Sequence, residues 1–306
     1  MRFPHLLATT GLALGLALPN VPAVAADWSK VADALGKSGA EMPGGVYRVG
    51  LPRTDLHVKL DGVDIKPTLA LGSWLAFQDQ GDTTMVMGDL VLTEDEVGPV
   101  MRKLIENGLE ITALHNHLLR AQPATLYMHV LGHGDPAKLA TALHDGLALS
   151  KTPLGNATAS ASPQAPSTGS EQPARLDLDT AMIDCTLGAK GKAVGGVYQV
   201  GIPRAETIKD GGMEVPVAMG SAEAINFQPT GDGKAAITGD FVLTAAEVNP
   251  VLRVLRGNGI EVTAVHNHML NDQPRLFFMH FWANDDAAKL AKGLRAALDQ
   301  VNLARS

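Results

Sequence analysis

The amino-acid sequence predicts an α+β protein made by tandem duplication. Each copy carries a β-α-β-β-α (ferredoxin-like) core with extra strands N-terminal to it. Three observations carry this prediction. The block Gly44-Gly45-Val46-Tyr47-Arg48-Val49-Gly50-Leu51-Pro52-Arg53 returns as Gly195-Gly196-Val197-Tyr198-Gln199-Val200-Gly201-Ile202-Pro203-Arg204, offset by 151 residues. From residue 88 to 140, 29 of 53 positions are identical to their partner at the same offset, far above chance. Within each copy, apolar periodicities of two and 3.6 alternate in the order strand, helix, strand, strand, helix.

The elements follow in order. Each copy opens with a short helical stretch, Trp28 to Leu35 or Ala181 to Leu187, and a Gly-rich turn. Val46 to Leu51 alternates and reads as a strand. Residues 55–78 hold one or two more strands, with Asp61-Gly62 as a turn. Thr84 to Leu92 is a strand, and Thr93 with Glu96 forms a capping box for the next helix. Val97, Val100, Met101 and Leu104 share one face of that helix, and Asn107-Gly108 ends it. Leu109 to Leu119 is a strand, Gln122-Pro123 turns the chain, and Thr125 to Gly132 is the next strand. Asp135 caps a helix bearing Leu139, Leu143 and Leu147. A missing edge strand could come from the N-terminal β region, and the sequence leaves open whether the early strands join this sheet.

Domain boundaries follow from composition. Residues 1–26 read as a secretory signal peptide: Arg2 is the positive end, Leu6 to Leu18 the apolar run, and Ala23 to Ala26 the small residues of a cleavage site. Cleavage after Ala25 or Ala26 would place the protein in the periplasm or outside the cell. That apolar run is too short to span a hydrocarbon layer of about 30 Å, and no later segment has the roughly 18 consecutive apolar residues a span needs. Copy 1 then covers residues 27–150, a Pro/Ala/Ser-rich linker 151–175, and copy 2 residues 176–306.

Composition excludes several functions. With 306 residues and 45% apolar content the chain can build a packed core. A net charge of −7 and the lack of a basic tract argue against nucleic-acid partners. One cysteine, Cys185, rules out a disulfide scaffold and a cysteine zinc cluster, and it reads as a small core residue. No P-loop or dinucleotide fingerprint is present, so no nucleotide cofactor is expected. No Gly-x-Ser-x-Gly context supports a serine hydrolase.

Six of the ten histidines carry the functional signal. His115, His117 and His129 recur as His266, His268 and His280, each set spaced His-Asn-His and then His twelve residues on. Residues i and i+2 of a strand share a face, with Cα atoms roughly 7 Å apart. If the hairpin turns at Pro123, His117 faces His129 across the ladder, and the three imidazoles of one copy converge. Three imidazoles with a fourth position open suit a transition metal, zinc first, and also copper, nickel or iron. Asp89 and Asp240, on the neighbouring strand, are candidate fourth ligands or catalytic bases. The competing reading makes the histidines hydrogen-bonded rim residues that continue the apolar face of Leu109, Ile111 and Ala113. Arg53 and Arg204 are weaker candidates for anion binding, against a sheet-edge arginine paired with an acid. A cupin would need an acid where Gln122 and Gln273 stand, and an all-β barrel.

The blocks Gly-Gly-Val-Tyr…Gly-(Leu/Ile)-Pro-Arg and Thr-Ala-(Leu/Val)-His-Asn-His-(Leu/Met)-Leu…Gln-Pro…Met-His resemble the LppY/LpqO family. The resemblance covers residues 40–300 apart from the linker. It implies an exported bacterial protein with a duplicated domain of unknown function, and no secure activity. The family takes its name from lipoproteins, whereas this chain has no cysteine near its cleavage site to carry a lipid.

Three functions follow as expectations. The first is a metal-dependent site in one or both copies, with hydrolysis by metal-activated water as the default reaction. The second is a non-catalytic module that holds a small ligand or cell-envelope component between the copies. The third is metal storage or delivery. Neither substrate nor oligomeric state is legible.

Overall fold

The computed structural model describes residues 27–81, 83–154 and 176–304. The expected signal peptide and most of the expected linker lie outside the described residues. Copy 1 runs α1 (Ser29–Leu35), β1 (Ala40–Met42), β2 (Val46–Pro52), β3 (Val58–Leu60), β4 (Val63–Ile65), α2 (Pro67–Ala70), β5 (Gly72–Asp79), β6 (Thr84–Thr93), α3 (Glu94–Glu106), β7 (Glu110–His115), β8 (Thr125–Gly134) and α4 (Pro136–Leu147). Copy 2 runs α5 (Thr180–Leu187), β9 (Lys192–Val194), β10 (Val197–Pro203), β11 (Lys209–Asp210), β12 (Met213–Glu214), a 3-10 turn (Val217–Met219), β13 (Ala222–Gly231), β14 (Lys234–Thr244), α6 (Ala245–Gly257), β15 (Glu261–His266), β16 (Asp272–Gln273), β17 (Leu276–Asp286) and α7 (Ala287–Leu298). Among the described residues no helix is long and apolar enough to cross a membrane.

Each copy is an α+β unit around a six-stranded antiparallel sheet. The orders are β1-β2-β5-β6-β8-β7 and, in mirror listing, β15-β17-β14-β13-β10-β9. The N-terminal strands therefore join the same sheet as the later ones, with β5 beside β6. Helices cover one face. In copy 1, Tyr47, Val49, Leu75, Phe77, Val86 and Leu90 pack there against Val31, Leu35, Val100, Leu104, Leu139 and Leu143. The expected caps are present: Thr93 and Glu96 form the box on α3, and Asp135 accepts from the Lys138 N–H at 2.9 Å. Lys151 donates its backbone N–H to Glu96 at 2.7 Å, and Leu154 packs on this core.

The other face of each sheet is also apolar, and the opposite copy covers it. β6 is buried along nine of its ten residues, so both of its faces are packed. Val46, Ala76, Met85, Met87 and Leu131 meet Ile208, Val215 and Met219 from the β11–β12 excursion of copy 2. In return, Val58, Leu60, Ile65, Leu69 and Leu71 from the β3–α2 excursion of copy 1 meet Val197, Ala236 and Trp282. Polar latches rim this clasp. Arg120 forks onto Asp61 and Glu261, and the Trp282 indole donates to Asp61 at 3.1 Å. Lys66 reaches the Gly196 carbonyl at 2.9 Å, and Gln199 the Thr68 carbonyl at 2.9 Å.

Two side-chain expectations change. Cys185 is exposed on α5, because that helix buries Ile183 and Leu187 on its other side. Arg53 and Arg204 are buried, and their own copies engage all five N–H donors. Arg53 bonds Asp55, Glu96 and the Val91 carbonyl, and Arg204 bonds Glu206, Glu247 and the Val242 carbonyl. No donor remains for an anionic ligand, so these arginines tie the capping glutamate to the sheet.

That pairing has a measurable consequence. Arg53→Ala strands Glu96 and Asp55 beside a buried void and should cost about 3–5 kcal/mol in denaturant unfolding. A loss below about 1 kcal/mol would show that the ion pair is not a structural tie.

Candidate metal centre

The six histidines lie in one cluster at the junction of the copies, where the edge strands β7 and β15 come into contact and Thr112 bonds the His268 carbonyl and the Asn267 side chain. The structure thus corrects the expectation that each copy gathers its own triad. It also corrects the hairpin register. Ala113, not His117, stands opposite His129, and His115 stands opposite Tyr127. Copy 2 matches, with Ala264 opposite His280 and His266 opposite Phe278. The cause is the connection between β7 and β8. It does not fold tightly on Gln122-Pro123, because Gln122 instead bonds Lys59 through both backbone groups at 2.9 Å. The Asn116 side chain accepts from the Leu118 N–H at 2.8 Å and turns the chain just after His115.

Each position has a local reason. Asp89 on β6 is the register partner of His129, and Asp240 on β14 that of His280. Gly239 precedes Asp240, and a Cβ there would run into the Ala224 carbonyl. His117 and His268 leave the strand ends and stack on Tyr127 and Phe278, each at 3.4 Å between centroids. A bulge between Val262 and Ala264 puts Glu261 opposite Trp282, on the same sheet face as His280, where it binds Arg120 at the rim of the clasp.

A pseudo-two-fold relates the rings. His115 stacks on His266 at the centre, 3.5 Å between centroids. His117 pairs with His280 on one side at 3.6 Å, and His129 with His268 on the other at 3.8 Å. Each carboxylate sits between two histidines of its own copy. Asp89 lies 3.8 Å from His117 and 4.0 Å from His129, and Asp240 lies 3.6 Å from His268 and 3.4 Å from His280.

The nitrogens approach closely. Nε2 of His266 is 2.8 Å from Nε2 of His280, which is 3.2 Å from Nε2 of His115, itself 2.9 Å from Nε2 of His117. Ligands about 2.05 Å from a tetrahedral ion stand about 3.3 Å apart, so this spacing is close to that of a coordination shell. The tautomers agree. His280 Nδ1 donates to the Gly239 carbonyl at 2.8 Å, and His266 Nδ1 to the Asn267 carbonyl at 3.2 Å. A neutral ring bonded in this way turns a bare Nε2 lone pair inward. Two such lone pairs at 2.8 Å repel unless bound cations draw on them. His115 Nδ1, His129 Nε2, His268 Nε2 and one oxygen each of Asp89 and Asp240 are buried with no partner. Donor sets within reach of one ion are His115/His117/His280, His115/His129/His266 and Asp240/His266/His280.

Among the described residues, the recess lined by Asp61, Lys66, Gln228 and Lys234 lies apart from this cluster. Spacing along one copy could not reveal the partnership between copies. The recurrence of the same three histidines was the signal available.

Burial sets the charge state. It holds all six imidazoles below their ordinary value, with repulsion among them adding to it for most, and His266 falls to about 4. Burial also pushes the Asp89 carboxyl up to about 7, against the pull of Arg48, and raises Asp240.

A family described as Domain of Unknown Function (DUF1259) matches residues 29–149 and again 181–300, and the chain belongs to it. No curated protein matches the sequence. Among solved structures, the trimeric bacterial microcompartment shell protein PduB is 12% identical, with 85% of this chain and 88% of that one covered and a TM-score of 0.20. EtuB from Clostridium kluyveri is 9% identical over 86% and 91%, with a TM-score of 0.19. Likenesses this slight establish neither fold nor assembly.

Neutral buried imidazoles make stability depend on pH. Below about 6.5 the unfolded chain binds more protons than the folded one, so stability drops as pH falls through that value. The raised carboxyls of Asp89, Asp240 and Glu223 act the other way above about pH 4, but they are three against six. The metal-free protein should therefore show a falling denaturant midpoint from pH 6.5 to 5, and His115→Gln/His266→Gln a shallower fall. A flat midpoint, or the same slope in the variant, would contradict neutral burial of the cluster.

Proposed function

We propose that this two-copy protein binds a transition metal between its copies, using imidazole ligands from both. The observation that carries this is the convergence of Nε2 atoms at 2.8–3.2 Å, with both Nδ1 groups of His266 and His280 already bonded to carbonyls. A rim role for the histidines would leave these lone pairs opposed and five buried polar atoms unpaired. All-nitrogen donors with nearby carboxylates and no thiolate favour zinc, copper, nickel or iron over magnesium or calcium. His115, His117 and His266 are partly exposed, which gives an ion a way in.

Asp89 and Asp240 stand 3.4–4.0 Å from ring nitrogens. They are placed either to orient ligands or to take a proton from a metal-bound water, so hydrolysis is the reaction open to the centre if it is catalytic. Storage or delivery would use the same ligands without turnover. The remaining parts of the proposal rest on sequence. Arg2, the apolar run and the small residues before Asp27 support export to the periplasm or beyond. The doubled motif blocks support a place among LppY/LpqO proteins. The strand order of β5 to β8 with α3 and α4 supports a ferredoxin-like core.

The test is elemental mass spectrometry on untagged protein purified from the periplasm. At least one equivalent of a transition metal is expected, lost in His115→Ala/His266→Ala. Metal-free protein should gain about 2.7 kcal/mol at an ion concentration a hundredfold above Kd. No metal, with no stabilisation by zinc, copper, nickel, iron or manganese, would overturn the proposal.

A further inference from the structure

We propose that the cluster is a two-metal centre in which His115 is the ligand shared by both ions, an inference that rests on the metal-binding reading above. His115 is the one residue common to both all-histidine donor sets, His115/His117/His280 and His115/His129/His266. Its two nitrogens face different surroundings. Nε2 meets Nε2 of His117 at 2.9 Å and Nε2 of His280 at 3.2 Å. Nδ1 is buried with no partner, whereas Nδ1 of His266 and of His280 are bonded to carbonyls. The lone pairs of one imidazole diverge within the ring plane and cannot meet on a single ion. A ring with one nitrogen in a donor set and the other orphaned is therefore built to serve two ions.

The neighbouring rings fit this division. His115 lies parallel to His280 and to His129, 5.1 Å from each centroid and within 4° of each plane. His280 belongs to the first set and His129, with its own orphaned Nε2, to the second. A neutral imidazole carries one ring proton. When both nitrogens coordinate, that proton leaves to water, and His115 bridges the ions as an imidazolate. The imidazolate and the carboxylates of Asp89 and Asp240 then offset most of the charge of two divalent cations held in a low-dielectric site.

The test is titration of the metal-free full chain with cupric ion, followed by equilibrium dialysis and electron paramagnetic resonance. Two ions per chain are expected. The second should suppress the signal of the first, because an imidazolate couples the two spins. His117→Gln and His129→Gln should each fall from two ions to one and regain a full uncoupled signal, and His115→Gln should lose the coupling. The wild-type result needs no variant and stands even if one misfolds. One ion per chain would overturn the two-metal centre and leave metal binding intact. Two ions with independent signals would overturn the shared ligand. No bound ion would overturn both.

Discussion

A sheet that is apolar on both faces needs two covers, and each copy supplies helices for only one. β6 shows the constraint directly, with buried residues pointing both ways along nearly its whole length. The second cover comes from the other copy, through the β3–α2 and β11–β12 excursions that cross to the opposite sheet. Once the copies clasp in this way, edge strands β7 and β15 lie together, and the histidines at their ends can only meet. The centre is a consequence of how the apolar faces are covered. Substitutions that loosen the clasp should therefore disturb the cluster even when they touch no histidine.

Much of this was legible in the sequence. The duplication, the capping boxes and the strand-helix order were readable because each depends on local spacing. The six histidines and two aspartates were singled out for the same reason, and they do lie together. The partnership between copies was not legible. Parity on one strand puts His115 on the face of Leu109 and Ile111, but a bulge between Ile111 and Ala113 turns it to the opposite face, where His266 stacks on it. The register was misjudged because Gln122 bonds the distant Lys59 instead of closing the hairpin. Of the two readings of Arg53 and Arg204, pairing with an acid fits, although Glu96 and Glu247 lie 43 residues further on and could not be named from local spacing. Cys185 shows that an apolar stretch does not by itself say which side of a helix is buried.

The pseudo-symmetry is imperfect in ways that bear on the chemistry. Arg48 lies over Trp74 at 4.1 Å, donates to the Ala218 carbonyl and pulls on Asp89, while the uncharged Gln199 at the matching position donates to the Thr68 carbonyl. Tyr127 backs His117, and Phe278 backs His268. Thr112 donates to the His268 carbonyl at 2.7 Å, whereas the Thr263 hydroxyl is buried and unpaired. The ligand types match between copies but their surroundings differ. Two ions in this centre would sit in different fields, Arg48 lowering the negative potential on the Asp89 side.

The most direct test of the central claim is anomalous diffraction from crystals of the metal-loaded protein. Peaks between the copies, each within bonding distance of imidazole nitrogens from both, are the expected result. Peaks confined to the histidines of a single copy, or lying outside the cluster, would contradict the account.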